Sequence, residues 1–159
     1  KSSVIISYSD IVYKSEHVNS LKKSNGDIVI TADLKWEELW KLRFENPLDD
    51  AETFKSINGL LTNIGGKTNN ILDIEAQYMG LLKLTSKGWN QMFNLFKTFS
   101  KEKQDRLDMT SMINELLKIR IKVNVVFVRG GWCESDSYSD NEVYEKQMKI
   151  DKNCIHDWK

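Results

Sequence analysis

Short apolar runs and helix-spaced apolar residues alternate along this chain. Runs rich in β-branched residues predict strands, and apolar residues that recur at intervals of three and four predict helices. The predicted strands cover residues 3–9, 27–32, 73–84 and 122–128. The predicted helices cover residues 17–23, 35–44, 86–99, 111–119 and 140–150. Two further runs joined by Asn58-Gly59 predict a β-hairpin over residues 53–64, because Asn-Gly favours the tight turn between antiparallel strands.

Strands that alternate with helices in this way indicate the α/β class. We expect a Rossmann-like sheet, mostly parallel or mixed, flanked by helices and carrying the hairpin as an insertion. The length of 159 residues favours a single domain. One face of the helix predicted at residues 86–99 collects large apolar side chains, which we expect to lie in the core. These are Trp89, Met92, Phe93 and Phe96.

Two carboxylates stand at predicted strand ends. Asp10 follows the run Val4-Ile5-Ile6, which is typical of a parallel strand covered on both faces, and Asp136 comes shortly after the last strand. Ligands of open α/β sheets lie beyond the carboxyl ends of strands, and hard cations such as Mg²⁺ prefer oxygen ligands. Taken alone, Asp10 favours a cap of a turn or of the next helix, because Asp is common at turns. The second carboxylate favours a metal site.

The composition of the chain argues against nucleic acid and a membrane as its main partners. The chain has 23 Lys and Arg residues against 23 Asp and Glu residues, so no overall basic field favours nucleic acid. No apolar run approaches the roughly 20 residues that a membrane-spanning helix needs. Cys133 and Cys154 lie far apart, which is typical of reduced thiols in a cytoplasmic protein. Their spacing matches no zinc-ligand motif.

A glycine pair and a half-polar strand are further candidates for function. Gly65-Gly66 allows close approach of the backbone to a ligand, and Lys67 is within reach of a phosphate. A flexible turn with a solvated lysine is the alternative. The strand predicted at residues 73–84 begins polar and ends apolar, as expected for a strand whose polar end enters a cleft.

Several segments resemble one superfamily. Residues 8–13 are similar to the Gly-Asp-Ile motif of the sugar-nucleotidyltransferase-like superfamily, with Ser9 in place of glycine. Residues 132–140 are similar to its Trp-x-Glu-Ile-Asp-Thr segment, with Ser135 in place of isoleucine. Residues 36–52, 64–67 and 75–81 resemble a bacterial subgroup, the cytidylyltransferases that act on phosphocholine, 2-aminoethylphosphonate or phosphoglutamine.

The resemblance implies a Mg²⁺-dependent enzyme. Members transfer CMP from CTP to a small phosphorylated or phosphonylated amine and release pyrophosphate, in the decoration of bacterial surface polysaccharides, as in capsule biosynthesis, or in phosphonate and phosphoramidate pathways. The aspartates that match Asp10 and Asp136 bind the catalytic magnesium in that superfamily. A lysine in the loop that matches Lys67 balances the charge of the acceptor phosphate, so the resemblance implies all three as catalytic residues.

The resemblance also implies an acceptor cleft faced by Glu75, Gln77 and Tyr78. Glu75, with Tyr78 or Trp132 in cation–π contact, suits a positively charged amine, although core packing is the alternative for both aromatic residues. Arg43 has two alternative roles. It can bind an acceptor carboxylate, or it can form an internal ion pair with Asp49, Asp50 or Glu52, and the adjacent acidic loop favours the ion pair.

One family feature is absent from this sequence: the glycine-rich loop, with its arginine and lysine, that cradles CTP. The resemblance therefore implies that residues 1–159 form one nucleotidyltransferase-like domain without its N-terminal part, weakly active or inactive alone. An open sheet edge would then favour self-association. A sugar-1-phosphate nucleotidyltransferase and a non-catalytic α/β interaction domain remain alternatives. An interaction domain has no reason to bring Asp10 and Asp136 within about 6 Å.

Overall fold

The computed structural model describes residues 2–150, which form eight strands, six α-helices and two short 3-10 helices. The strands are β1 (Ser3–Ser7), β2 (Ile11–Tyr13), β3 (Ile28–Asp33), β4 (Phe54–Ile57), β5 (Leu60–Ile64), β6 (Gln77–Thr85), β7 (Asn124–Val128) and β8 (Trp132–Glu134). The helices are α1 (Ser15–Lys23), α2 (Trp36–Arg43), α3 (Ser86–Phe96), α4 (Lys101–Arg106), α5 (Met109–Lys118) and α6 (Tyr138–Ile150). The 3-10 helices are Pro47–Asp49 and Ile71–Asp73.

Six strands form one mixed sheet in the order β1-β6-β3-β7-β5-β4, and β2 pairs with β8 in a separate two-stranded ribbon. The α/β class with a mixed sheet and an inserted hairpin is confirmed. Among the described strands, only β3 and β7 pair in parallel, so most of the pairing is antiparallel. The nine-residue strand β6 causes this, because it runs antiparallel to β1 on one side and to β3 on the other.

The hairpin forms where the sequence predicts it. Strands β4 and β5 pair antiparallel, and Ile57 lies opposite Leu60 across the turn. Asn58 and Gly59 both have positive φ, 51° and 74°, which is the combination that a two-residue hairpin turn of matching twist requires.

Strand β1 differs from the prediction. It lies at the edge of the sheet and pairs antiparallel with β6, and Val4 is 49% exposed. A strand covered on both faces was therefore the wrong interpretation of its β-branched run. A short run of Val and Ile suits any pleated, half-buried strand, so it does not distinguish an edge strand from a central one.

Side chains on the two faces of the sheet form two apolar clusters. Successive side chains of a strand point to opposite faces, so Val29 of β3 joins one cluster and Ile28 and Ile30 join the other. The first cluster packs β3 and β6 against α1 and α2, and it includes Leu21, Trp36, Leu39, Trp40 and Trp132. The second packs the opposite face against α3 and α5, and it includes Leu82, Leu84, Met92, Ile113 and Leu116.

Helix α3 places only part of its apolar stripe in the core. Met92 is buried, whereas Trp89 and Phe93 are 49% and 43% exposed and stack on each other with centroids 5.9 Å apart. The expectation that all four large side chains are core residues is wrong for these two. At the start of the helix, Gly88 lies so close to the Asp27 carbonyl oxygen that a Cβ atom there would be only 2.0 Å from it.

Helix ends deviate from the predictions by one to three residues. Thr85 caps α3 and accepts a hydrogen bond from the Gly88 amide, and Asp108 caps α5 by accepting one from Ser111. Helix α4 lies between two of the predicted helices, where the sequence pattern predicted none. No helix within residues 2–150 has the length and hydropathy that a membrane crossing requires.

Candidate functional site

The β2–β8 ribbon joins two segments that lie far apart in the sequence. Ile11 pairs with Glu134, and the amide of Ser135 donates a hydrogen bond of 2.9 Å to the carbonyl oxygen of Asp10. The sequence pattern did not predict this ribbon, because three-residue strands carry almost no periodic signal. The ribbon is what places Asp10 beside the segment that contains Asp136.

Asp10, Glu134 and Asp136 form the carboxylate triad. One oxygen from each side chain lies within 4.8 Å of the others, so the two predicted aspartates do lie together. Asp10 and Asp136 are exposed, and Glu134 is half-buried. Three carboxylate oxygens at this spacing form a donor set that suits a hard divalent cation. Sequence reasoning missed Glu134, although it lies only two residues before Asp136 in the same family-like segment.

The triad carries unbalanced negative charge. Burial, together with the neighbouring carboxylate of Asp136, raises the pKa of Glu134 above its ordinary value, and Asp10 acts in the same direction. Arg43 opposes the shift without cancelling it. A bound cation would relieve this repulsion, because an opposite charge favours the ionised carboxylates.

Arg43 lies at the end of α2 with its side chain only 1% exposed. Its Nη1 donates to Glu134 at 2.9 Å, its Nη2 to Asp136 at 2.6 Å, and its Nε to Asp140 at 3.0 Å. An internal ion pair was therefore the correct alternative for Arg43, but the predicted partners were wrong. The acidic residues of the adjacent loop do not pair with it, and three carboxylates more than 90 positions away do.

Asp140 holds the loop that carries Asp136. Its Oδ2 accepts hydrogen bonds from the amides of Asp136 at 3.0 Å and Ser137 at 2.9 Å. Although burial acts in the opposite direction, the bonds from Arg43 and Ser137 keep the pKa of Asp140 below its ordinary value. The sequence offered only the start of a helix at this position, so the role of Asp140 was not foreseen.

Lys67 is exposed and lies over the loop that precedes β4. Its Nζ donates to the carbonyl oxygen of Asp50 at 2.7 Å and of Asp49 at 3.4 Å. An ammonium group has three donors, so these contacts leave it able to bind an anion. Gly65, with φ 84°, forms the turn that presents it.

The four residues expected to face the acceptor do not form one cluster. Glu75 is exposed and accepts a 2.7 Å hydrogen bond from the amide of Ser56 on β4. Gln77 is buried, and its side chain bonds the backbone of Glu52, with Nε2 2.5 Å from the carbonyl oxygen. Trp132 is 1% exposed in the first apolar cluster, where core packing describes its position.

Tyr78 is half-buried. Its hydroxyl is buried, and its ring meets that of Tyr8 edge to face with centroids 6.0 Å apart. Burial raises the pKa of Tyr8 to about 12, and the charges of Asp108, Asp10 and Glu134 add to the shift. Tyr8 therefore lies within the electrostatic field of the triad, and sequence reasoning did not select it.

No family model matches the chain. Over 149 residues it is 36% identical to the CTP:phosphoglutamine cytidylyltransferase of Campylobacter jejuni, an alignment that covers 90% of this chain and 59% of that enzyme. The chain thus spans somewhat more than half the length of this relative.

Solved structures share the fold at low sequence identity. The inositol-1-phosphate CTP transferase from T. maritima aligns with a TM-score of 0.69 and 16% identity, over 96% of this chain and 58% of that one. The nucleoside-diphosphate-sugar pyrophosphorylase from Vibrio cholerae aligns with a TM-score of 0.55 and 10% identity, over 91% of this chain and 56% of that one. The chain is thus similar in sequence to a cytidylyltransferase and shares its fold with these solved nucleotidyltransferase structures.

Proposed function

We propose that this chain supplies the metal-binding part and the acceptor side of a Mg²⁺-dependent cytidylyltransferase. The reaction joins CMP from CTP to a small phosphorylated amine and releases pyrophosphate. The convergence of the carboxylate triad within 4.8 Å carries the proposal, because an interaction domain has no need to hold three carboxylates so close together. The 36% identity to a CTP:phosphoglutamine cytidylyltransferase supports the reaction class.

The chemistry needs positioning and charge neutralisation rather than covalent catalysis. An oxygen of the acceptor phosphate forms a bond to the α-phosphorus of CTP, the bond to the β-phosphate oxygen breaks, and pyrophosphate leaves with the electron pair. The triad would hold the Mg²⁺, which when bound neutralises charge on the nucleotide phosphates. The exposed ammonium of Lys67 would pair with the acceptor phosphate, and the turn at Gly65, with φ 84°, precedes it.

For the acceptor we propose a phosphorylated or phosphonylated amine, of which phosphoglutamine, phosphocholine and 2-aminoethylphosphonate are the members to test. Glu75 is exposed beside the hairpin and provides an anionic group for an amine. The same proposal places the reaction in the cytoplasm and assigns its product to the decoration of bacterial surface polysaccharides.

Turnover of CTP tests the proposal. The full natural chain is incubated with Mg²⁺, CTP and each of the three amines or glucose 1-phosphate, and ³¹P NMR follows pyrophosphate and the CDP-linked product. Asp10→Asn and Asp136→Asn should each lower the rate about 100-fold or more, since metal charge stabilisation is worth several kcal/mol. Asp105→Asn changes an exposed carboxylate on α4 and should have no effect.

Three results contradict the proposal. Absence of turnover with every acceptor points to the interaction domain, and turnover with glucose 1-phosphate alone points to a sugar-1-phosphate enzyme. Unchanged rates for both triad variants would remove the metal site from the mechanism.

A further inference from the structure

Arg43 connects the carboxylate triad to the rest of the fold. It contacts Glu134 and Asp136, which belong to the triad, and Asp140, which does not. These contacts use one oxygen each of Glu134 and Asp136, so each carboxylate keeps a second oxygen. Two of the three triad carboxylates therefore contact the same buried side chain.

The guanidinium is itself held in place. Its central carbon lies 5.1 Å from the ring centroid of Phe44 and 5.7 Å from that of Trp40. Trp40 packs in the first apolar cluster and donates a 2.9 Å hydrogen bond to Asp50. Arg43 is therefore a fixed, planar fork whose three nitrogens each make their shortest contact with a different carboxylate, and Nη2 also donates to Asp140 at 3.4 Å.

The third contact extends this control to the backbone. Asp140 accepts the Nε bond of Arg43 with one oxygen and the amides of Asp136 and Ser137 with the other. The hydroxyl of Tyr144 donates a 2.7 Å hydrogen bond to the carbonyl oxygen of Glu134. The backbone is thus anchored on both sides of Ser135.

Resting on the proposed function, we infer that Arg43 is a positioning residue for the metal site, which holds Glu134 and Asp136 at the separation that a divalent cation requires. The fork is essential to this role, because one guanidinium reaches three carboxylates along fixed directions and the compact ammonium of lysine does not. Groups that orient metal ligands commonly change metal affinity about 10- to 100-fold when they are replaced.

If Arg43 acted only through its charge, its removal would have the opposite effect on metal affinity. A positive charge beside the triad repels a cation, so removing it would tighten metal binding, and replacing it with another positive charge would change little. Arg43→Gln and Arg43→Lys therefore separate positioning from charge.

The experiment measures the dissociation constant of Mn²⁺ by EPR of the free ion, with and without CTP, using the full natural chain. Positioning predicts that Arg43→Lys and Arg43→Gln both weaken Mn²⁺ binding about 10-fold or more. Arg106→Lys, a change at an exposed arginine of α4, should leave it unaltered. Unchanged binding in Arg43→Lys, or tighter binding in Arg43→Gln, overturns the inference.

Two further variants keep the outcome interpretable. Asp140→Glu keeps every charge and moves the anchor, so it should also weaken Mn²⁺ binding, and it decides the question if both Arg43 variants unfold. Asp10→Asn reports on the metal site itself. Loss of Mn²⁺ binding in Asp10→Asn with normal binding in Arg43→Lys defeats the inference about Arg43 alone. No Mn²⁺ binding by the wild-type chain defeats the metal site of the proposed function.

Discussion

The carboxylate of Asp33 accepts a 2.9 Å hydrogen bond from the indole Nε1 of Trp132, and both side chains are buried. The other oxygen of Asp33 accepts the amides of Lys35 and Gly130, each at 2.8 Å. One carboxylate at the end of β3 therefore fixes the start of α2 and the turn before β8.

Asp33→Asn should destabilise the fold by about 2–3 kcal/mol, because one oxygen becomes an NH₂ group. In either orientation of the amide, this group faces an N–H donor and leaves buried donors unsatisfied. Urea unfolding measures the change. Asp105→Asn replaces an exposed carboxylate paired only at the surface and should change stability by less than about 0.5 kcal/mol. Equal stability of the two variants would show that the Asp33 contacts contribute little.

The fold was predictable where local chemistry decides it. Asn58-Gly59 determines its own turn, and the spacing of Trp36, Leu39 and Trp40 predicts the buried face of α2. The position of β1 at the edge of the sheet was not predictable. It depends on the pairing of β1 with β6, which lies about 75 residues further along the chain. A short β-branched run has the same composition in either position.

In the candidate site, too, contacts between segments far apart in the sequence could not be predicted from local pattern. The separation of Asp10 and Asp136 depends on the β2–β8 ribbon, and the resemblance anticipated it where periodicity had no signal. The partners of Arg43 were mispredicted because sequence proximity favoured the adjacent acidic loop. The fold instead brings in Glu134 and its neighbours from the far end of the chain.

Gly80→Ala should be more destabilising than Gly59→Ala. Both glycines have φ of 74°, so both substitutions incur the strain of a left-handed conformation, about 1 kcal/mol. A Cβ at Gly80 would lie 2.7 Å from the ring of Tyr8, whereas at Gly59 it meets nothing within 4 Å. We expect an additional loss of about 1–3 kcal/mol for Gly80→Ala, measured by urea unfolding.

Mn²⁺ binding by Gly80→Ala provides a second measurement. Displacement of Tyr8 moves the backbone two residues before Asp10, so the affinity for Mn²⁺ should fall in this variant and not in Gly59→Ala. Equal stabilities and equal affinities of the two variants would mean that Tyr8 moves away without consequence.

Stability should depend on pH through His17. Burial lowers the pKa of this side chain below its ordinary value of 6.5, the charges of Asp33 and Glu16 oppose that shift, and Lys14 reinforces it. Its Nδ1 is buried without a hydrogen-bond partner in the described part of the chain. The unfolded chain therefore takes up a proton at a higher pH than the folded chain does.

The direction of the pH dependence of stability follows from this difference in pKa between the folded and unfolded states. Above about pH 6.5 His17 is neutral in both states and its contribution is complete, and as pH falls below that value the free energy of unfolding decreases. His17→Gln should flatten the dependence between about pH 7.5 and 5.5, measured by urea unfolding at each pH. A slope unchanged by His17→Gln would assign the effect to other groups.

Lys67→Gln should raise the KM for the phosphorylated acceptor and leave the KM for CTP nearly unchanged. Its ammonium is exposed and is held by carbonyl oxygens rather than by a carboxylate, so it remains available to an anionic phosphate. Loss of a charge-assisted hydrogen bond is worth about 1.5–3 kcal/mol, which corresponds to roughly a 10- to 150-fold increase. Lys55→Gln is the matched control, because Lys55 lies on the neighbouring hairpin and its Nζ also donates to a backbone carbonyl, that of Leu72. Lys67→Arg should restore much of the affinity, because it keeps the charge. If Lys67→Gln instead lowers the rate at saturating acceptor without changing its KM, then Lys67 acts on the transition state and not on acceptor binding.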